Sequence, residues 1–490
     1  MKWLNKCKHS FSELGGQNMM KKRILSLILV IAMCITLMPT TGVFAAEENK
    51  APFSAWAQDD LIIGDTYGIY PQNWYTKGMT VPIKQGQLRV ILAGIRTKIV
   101  KSGCITKENG KSFILEKYLT VEQVLDIMYD VISSYEFTED IGLKESSVAA
   151  FMKEHGIYTG KDGELGLSDI CTIEQACVMA TRLVTYLYDA LDGASKGFLW
   201  EAKSGENTVY MLGSIHLASF DIYPFSKKML EAYASADALA VEVNMYDMTG
   251  AMALAQLGMY MDGTTLKDHV SEDTYKKTIE LAAKMGYREE QIASVKPWYI
   301  YCLFSALAAT QSGDPAQASV AAALGIDMFF LTNAYIYGKP ILEVEGLVFQ
   351  GNVFDSFSDG LEEYLLDGTV DAVNEVLSGT DSEEAGYLDL MLEYWSDGDA
   401  EAFKKFTSPE FEYPELYEED VTPEEKALIE EFQDKLMTKR DKGMAEYIDN
   451  LLKSEGSNTY FVIVGSGHYI SNYSVLDVLK EKGYEINQVK

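Results

Sequence analysis

Val209-Tyr210-Met211-Leu212-Gly213-Ser214-Ile215-His216 and Phe461-Val462-Ile463-Val464-Gly465-Ser466-Gly467-His468 are two apolar runs that break on glycine and reach a histidine three residues later. Each reads as a strand with the histidine at its exit. In an α/β sheet ligands bind at the carboxyl ends of strands, and a glycine at the bend lets the backbone approach a ligand closely. The chain has only 5 histidines, so the recurrence of one motif about 250 residues on points to a shared site. The plainer reading is two structural histidines with satisfied hydrogen bonds. His155 and His269 fall in no such setting and read as surface or turn residues.

Working outward from these runs, strands are expected at 207–213, 238–243, 339–344 and 459–464, separated by helical patterns that include 274–285, 297–310, 385–395 and 423–452. That alternation is the mark of an α/β domain with a mixed sheet flanked by helices. It starts near residue 195, within a glycine-containing connector around 191–203, and runs to 490. A stretch rich in Glu, Pro and Tyr at 408–424 reads as a surface excursion.

Carboxylates accompany these strands. Glu242 closes the run Ala238-Leu239-Ala240-Val241, and Glu343 and Glu345 alternate with Leu342 and Val344, which puts both acids on one face of a strand. Acids in apolar strands need a cation, a hydrogen-bond network or a water-filled cleft; a solvated edge strand is the alternative. One functional arrangement is imidazole and carboxylate converging on a divalent metal, which acidifies a bound water. Ser214 and Ser466 lie in no Gly-x-Ser-x-Gly elbow, which argues against a nucleophilic serine.

Residues 1–45 read as an export signal: Lys21, Lys22 and Arg23 precede an apolar run, and Val43-Phe44-Ala45 offers small residues for cleavage. The run is too short to span a bilayer, and the best later candidate is broken by Ser312-Gly313-Asp314-Pro315, so no membrane insertion is expected once the signal is removed. Loss of the segment removes six basic residues and one acid, moving the net charge from -31 to -36. So acidic a protein repels phosphate backbones and anionic lipid, which excludes nucleic acid as a partner. The length favours two or three domains. Cys104, Cys171, Cys177 and Cys302 are too few for a disulfide scaffold and lack zinc spacing; they read as free thiols or as one Cys171–Cys177 bridge.

Residues 46–194 form a smaller, mainly α-helical domain with a faint repeat. Gly68-Ile69-Tyr70 and Gly156-Ile157-Tyr158 recur, and Thr120-Val121-Glu122-Gln123 and Thr172-Ile173-Glu174-Gln175 each open a helix with Thr as N-cap. Over 149–183 this region resembles S-layer homology repeats, with Cys171 to Ala176 at the family's helix start. The resemblance implies binding of a cell-wall polymer; a plain helical packing domain is the alternative.

From about Glu201 to the C-terminus the chain resembles the TraB/GumN family, which includes pheromone-shutdown proteins and the Tiki metalloproteases. The residues that carry the resemblance are Gly213 to His216, Tyr223-Pro224, Glu242, Lys296-Pro297-Trp298, Gly325-Ile326-Asp327 and Gly338-Lys339-Pro340 with Glu345 and Gln350. Trp395, Gly398-Asp399, Arg440 with Met444, Val464 to His468 and Gly483-Tyr484 complete it. The second motif has Tyr469 where the family usually has Leu, and Val348 stands in place of an acid. The resemblance implies a fold related to erythromycin esterase and the ChaN haem-binding protein, with a metal-dependent hydrolytic site. His216, Glu242, Glu345 and His468 are its inferred centre, with Asp327, Gln350 and Arg440 around it. His216 and His468 are expected as ligands of a divalent metal such as Mn, Co or Zn. Glu242 and Glu345 complete the shell or act as general base, and Arg440 holds a substrate carboxylate or oxyanion, or forms a salt bridge. Three functions stay open: an exported peptidase-like hydrolase acting on a peptide or small molecule, a non-catalytic binder of peptide, metal or haem, and an adhesive protein, secreted or held at a bacterial cell wall.

Overall fold

The computed structural model describes residues 52–102, 104–106, 118–143, 147–160, 164–379, 386–407 and 422–489. The expected signal at 1–45 and most of the 408–424 excursion lie outside the described residues. The chain divides into two compact units: one runs up to Ser195 and takes back Phe220–Lys227, and the other comprises Lys196–Ser219 and Lys228–Lys490.

In the second unit six strands form one mixed sheet: β1 (Phe198–Ser204), β2 (Asn207–Ser214), β3 (Ala238–Val241), β4 (Ile341–Glu343), β5 (Thr459–Gly465) and β6 (Ile486–Gln488), in the spatial order β4-β3-β5-β2-β1-β6. The four strands read from the sequence are the parallel ones. The two that were not anticipated, β1 and β6, are antiparallel additions on one side. The residues of β1 had been read as connector. Ser204 pairs with Asn207 across a two-residue turn in which Gly205 takes a φ of +57°, so the glycine completes a hairpin.

Val209, Met211, Leu212, Leu239, Ala240, Phe461, Val462 and Ile463 are buried, as apolar parallel strands covered on both faces require. A separate core lies where α2 (Pro297–Thr310) packs on α5 (Asp359–Ser378), with Ile300, Phe304, Leu366, Val370 and Val373 at its centre. The bounds of α2 match the sequence reading because both ends are locally encoded: Pro297 sits in the first turn and Gln311 caps the end in a left-handed conformation. The 423–452 pattern divides into Pro423–Phe432, a π-helical turn at Gln433–Thr438, and α6 (Lys439–Leu452). Among the described residues no single helix is long and apolar enough to cross a membrane, and Pro315–Ala323 and α3 (Ile326–Tyr337), apolar enough as a pair, are bent by 61°.

The first unit is mainly helical. Thr120 and Thr172 are both N-caps, each accepting from the backbone of the residue three on (Gln123, Gln175) at 3.3 Å while that glutamine accepts from the threonine N–H at 2.9 Å. The segments leading into helices Gln85–Lys101, Val121–Ser133 and α1 (Ile173–Ala190) clasp one another: Cys171 N–H donates to Leu119 O, and Ile83 N–H to Cys171 O, both at 2.9 Å. Among the described residues Cys104, Cys171, Cys177 and Cys302 are buried and free, so the alternative of a Cys171–Cys177 bridge does not hold.

Candidate active site

Parallel pairing of β2 with β5 sets Gly213 against Val464 and Ser214 against Gly465, so the two motifs leave the sheet side by side, one residue out of step. A Cβ on Gly213 would lie 3.0 Å from Ser466 Oγ and 3.1 Å from Ser466 Cα, so a side chain at this strand exit would press on the second motif. The crossing is pinned by Ser466 Oγ–H to Ser214 O at 2.9 Å and by the Trp395 indole N–H to Gly213 O at 2.7 Å. A Cβ on Gly325 would sit 2.3 Å from His216 O, so α3 can start close against the first histidine only with glycine there.

Both imidazoles are buried and held alike. Asp327, in the first turn of α3, lies 3.1 Å from His216 Nδ1, and Asp441, in the first turn of α6, lies 2.6 Å from His468 Nδ1. Each ring therefore donates from Nδ1 to a carboxylate and turns Nε2 the other way, and both Nε2 atoms are buried without a hydrogen-bond partner. Burial opposes charge on His216, but the carboxylate and hydrogen bond of Asp327, with Glu242 nearby, outweigh it and raise its pKa above the ordinary histidine value. Burial raises the Asp441 pKa against the pull of His468.

Glu242 follows β3 directly. Its backbone N–H donates to Ile463 O at 3.0 Å, and its Oε2 accepts from Gly465 N–H at 2.8 Å, which joins the carboxylate to the second motif. Its Oε1 accepts from Arg440 and, at 2.6 Å, from Gln350 Nε2. The strand carrying Glu343 ends there, which corrects the expected shared face. Glu343 is exposed, whereas Glu345 lies in the turn beyond, its N–H donating to Glu242 O at 3.1 Å before Gly346 opens α4 (Leu347–Asp355) with a φ of +89°. Glu345 is clamped by Arg440: Nε donates to its two oxygens at 3.0 and 3.1 Å and Nη2 to Oε2 at 2.7 Å, while Gln350 Nε2 reaches Oε2 at 3.2 Å.

The geometry thus brings His216, His468, Glu242, Glu345, Arg440, Asp327 and Gln350 together and leaves His155 against Tyr186 and His269 stacked on Tyr260. Arg440 is 3% exposed and its guanidinium is committed to the two glutamates and to Leu436 O of the π-helical turn. Against the cost of burial, Arg440 with the two imidazoles and the Gly465 N–H holds Glu242 well below the usual carboxylate range, at about 2. Asp441 was missed by sequence reasoning, although the need of the second imidazole for an Nδ1 partner, and the place of Asp327 beside the first, were signals that a carboxylate had to be sought.

Two buried imidazoles with carboxylate-bound Nδ1 and unpartnered Nε2 fit a divalent metal, because ligating histidines are oriented by such partners. The glutamates fit less well as ligands, their oxygens being taken up by Arg440, Gln350 and Gly465. Among the described residues no group of three or more His, Cys, Asp or Glu side chains is arranged to hold a metal ion.

The TraB/PrgY/gumN family model matches residues 198–488. Metalloprotease TIKI2 of Xenopus tropicalis is 22% identical over 316 residues, 59% of this chain and 59% of that protein, and Metalloprotease TIKI1 of Homo sapiens is 23% identical over 317 residues, 59% and 61%. Uncharacterized protein YbaP of Escherichia coli (strain K12) is 28% identical over 142 residues, 29% of this chain and 50% of that protein. The chain therefore spans about three fifths of the TIKI proteins it matches. No solved structure matches significantly. With the family model covering the sheet from β1 to β6 and every residue of the site, the chain belongs to the TraB/PrgY/gumN family.

Proposed function

We propose that this chain is an exported, metal-dependent hydrolase of peptidase type, acting on a peptide or a small amide or ester. The observation that carries the reading is the pair of buried imidazoles, each fixed at Nδ1 by a carboxylate and each left with a bare Nε2. Two buried nitrogens without partners are held at a cost unless something takes them. Similarity to proteins named metalloproteases supports the same reaction class.

A divalent metal bound there, Mn, Co or Zn, supplies Lewis-acid chemistry that polarises a carbonyl and makes water nucleophilic near neutral pH. The residues of the chain do the rest. Asp327 and Asp441 hold the imidazoles in one tautomer with Nε2 facing inward. Glu242, ionised throughout the neutral range, is too weak a base to take a proton and acts by balancing positive charge. Glu345 is the carboxylate assigned to proton transfer, on release from Arg440. Arg440 supplies the counter-charge that lets two acids share the site and, once Glu345 moves, a donor for a developing oxyanion.

The test is elemental analysis of the purified protein beside a folded His216→Ala/His468→Ala double variant. Stoichiometric metal in the first and none in the second supports the reading and justifies a peptidase screen with that metal. Equal, negligible metal in both after refilling with Mn, Co or Zn overturns it in favour of a non-catalytic binding protein. For residues 46–194 we propose attachment to a cell-wall polymer, on the resemblance read over 149–183 alone; co-sedimentation of that fragment with purified walls tests it, and a wholly soluble fragment refutes it.

A further inference from the structure

Another buried polar atom, on a side chain hydrogen-bonded to Glu242, is also stranded. Gln350 is 3% exposed, on the buried face of α4, and its Oε1 has no hydrogen-bond partner. The orientation of the amide is dictated by chemistry. Its –NH2 faces two carboxylates, donating to Glu242 at 2.6 Å and Glu345 at 3.2 Å, and rotating the amide would set a carbonyl oxygen against two anions. The carbonyl must therefore point away from the glutamates. It meets no donor there, and a buried acceptor left unpaired is destabilising. The glutamates, by contrast, have their oxygens occupied by Arg440, Gln350 and Gly465. The atoms around Glu242 that lack partners include two imidazole nitrogens, the Tyr469 hydroxyl and one amide oxygen; burial keeps the phenol protonated and so a poor ligand, whereas imidazole nitrogens and an amide oxygen suit a divalent cation of the first transition row.

We propose that Gln350 is a metal ligand of this site, its side-chain carbonyl joining His216 Nε2 and His468 Nε2, and that Glu242 and Glu345 stay outside the shell. This rests on the metal-dependent reading above and assigns its ligands. One residue then serves two purposes: the amide nitrogen ties the carboxylates in place while the amide oxygen binds the cation.

The experiment is Co2+ titration of the full chain by calorimetry and visible absorption, on the wild type, Gln350→Leu and Gln350→Glu, each checked for folding by circular dichroism. Gln350→Leu is expected to weaken Co2+ binding by at least about tenfold and to change the visible spectrum. Gln350→Glu loses the –NH2 but keeps a ligating oxygen, so it is expected to bind Co2+ far better than Gln350→Leu. Should Gln350→Leu not fold, the wild type serves alone: the side-chain amide resonances of Gln350 must show a large contact shift on Co2+ loading, and their absence overturns the assignment. Unchanged affinity and spectrum in Gln350→Leu, or equal loss in both variants, also overturns it while leaving the metal reading intact. No Co2+ binding by the wild type, under conditions where the double histidine variant also binds none, refutes both.

Discussion

Replacing Arg440 by methionine removes the one cation that lies between Glu242 and Glu345 and leaves a side chain of comparable length. The wild-type guanidinium makes three contacts to Glu345 within 3.1 Å and a further one to Glu242, at a position 3% exposed. Two carboxylates then remain side by side, held only by Gln350 and the Gly465 N–H. Breaking a buried pair by removing one partner costs about 3–5 kcal/mol. For a unit of this size that is a fall of roughly 6–10 °C in melting temperature, at ~2 °C per kcal/mol. The pH dependence supplies the check on cause. In the wild type the folded Glu242 titrates at about 2 against an ordinary value of 4.5, so its contribution is present above the ordinary value and is lost as pH falls through the folded one. In Arg440→Met the burial that opposes the ionised form of Glu242 is no longer outweighed by the guanidinium, so that carboxylate takes up a proton as pH falls and the deficit must shrink on going from about pH 8 to about pH 5. Differential scanning calorimetry of both proteins across that range measures it. A loss under about 1 kcal/mol, or one that does not change with pH, would refute the view that Arg440 is what makes the two buried acids tolerable.

Asp441→Asn should leave the fold intact and weaken metal binding by about 10- to 100-fold, because a neutral amide replaces the carboxylate that holds the His468 tautomer and raises the basicity of its Nε2; titration calorimetry reads this. Gly325→Ala places a methyl 2.3 Å from His216 O, so it should cost about 1–3 kcal/mol in thermal unfolding and disturb the first histidine. His216 should titrate above 6.5 by NMR in the metal-free protein and fall back in Asp327→Asn; its pairing with Asp327 adds stability below the ordinary histidine value that disappears as pH rises through the folded one.

What could be read from the sequence were features whose causes are local. The parallel strands were legible because apolar runs ending in glycine carry their own boundaries. Helix α2 was legible because Pro297 and the Ser312-Gly313-Asp314-Pro315 break mark its ends, and Thr120 and Thr172 because a capping box is complete within four residues. Strands β1 and β6 were missed because what makes them strands is pairing: Trp200 against Met211 on one side and against Gln488 on the other. Glu343 and Glu345 were separated by the end of β4, which their alternation does not reveal.

The sequence by itself determined the class of fold, the two histidine motifs and the family, because hydrophobic period, glycine placement and motif order survive without three-dimensional information. Tertiary structure alone decided which side chains meet. Arg440 reaches Glu345 across 95 residues and Glu242 across 198, Gly465 reaches Glu242 across 223, and Asp441 takes the place at His468 that no pattern had assigned. Buried charges are stabilised by specific partners at hydrogen-bond distance, and that choice follows from how strands and helices pack rather than from any local run of residues.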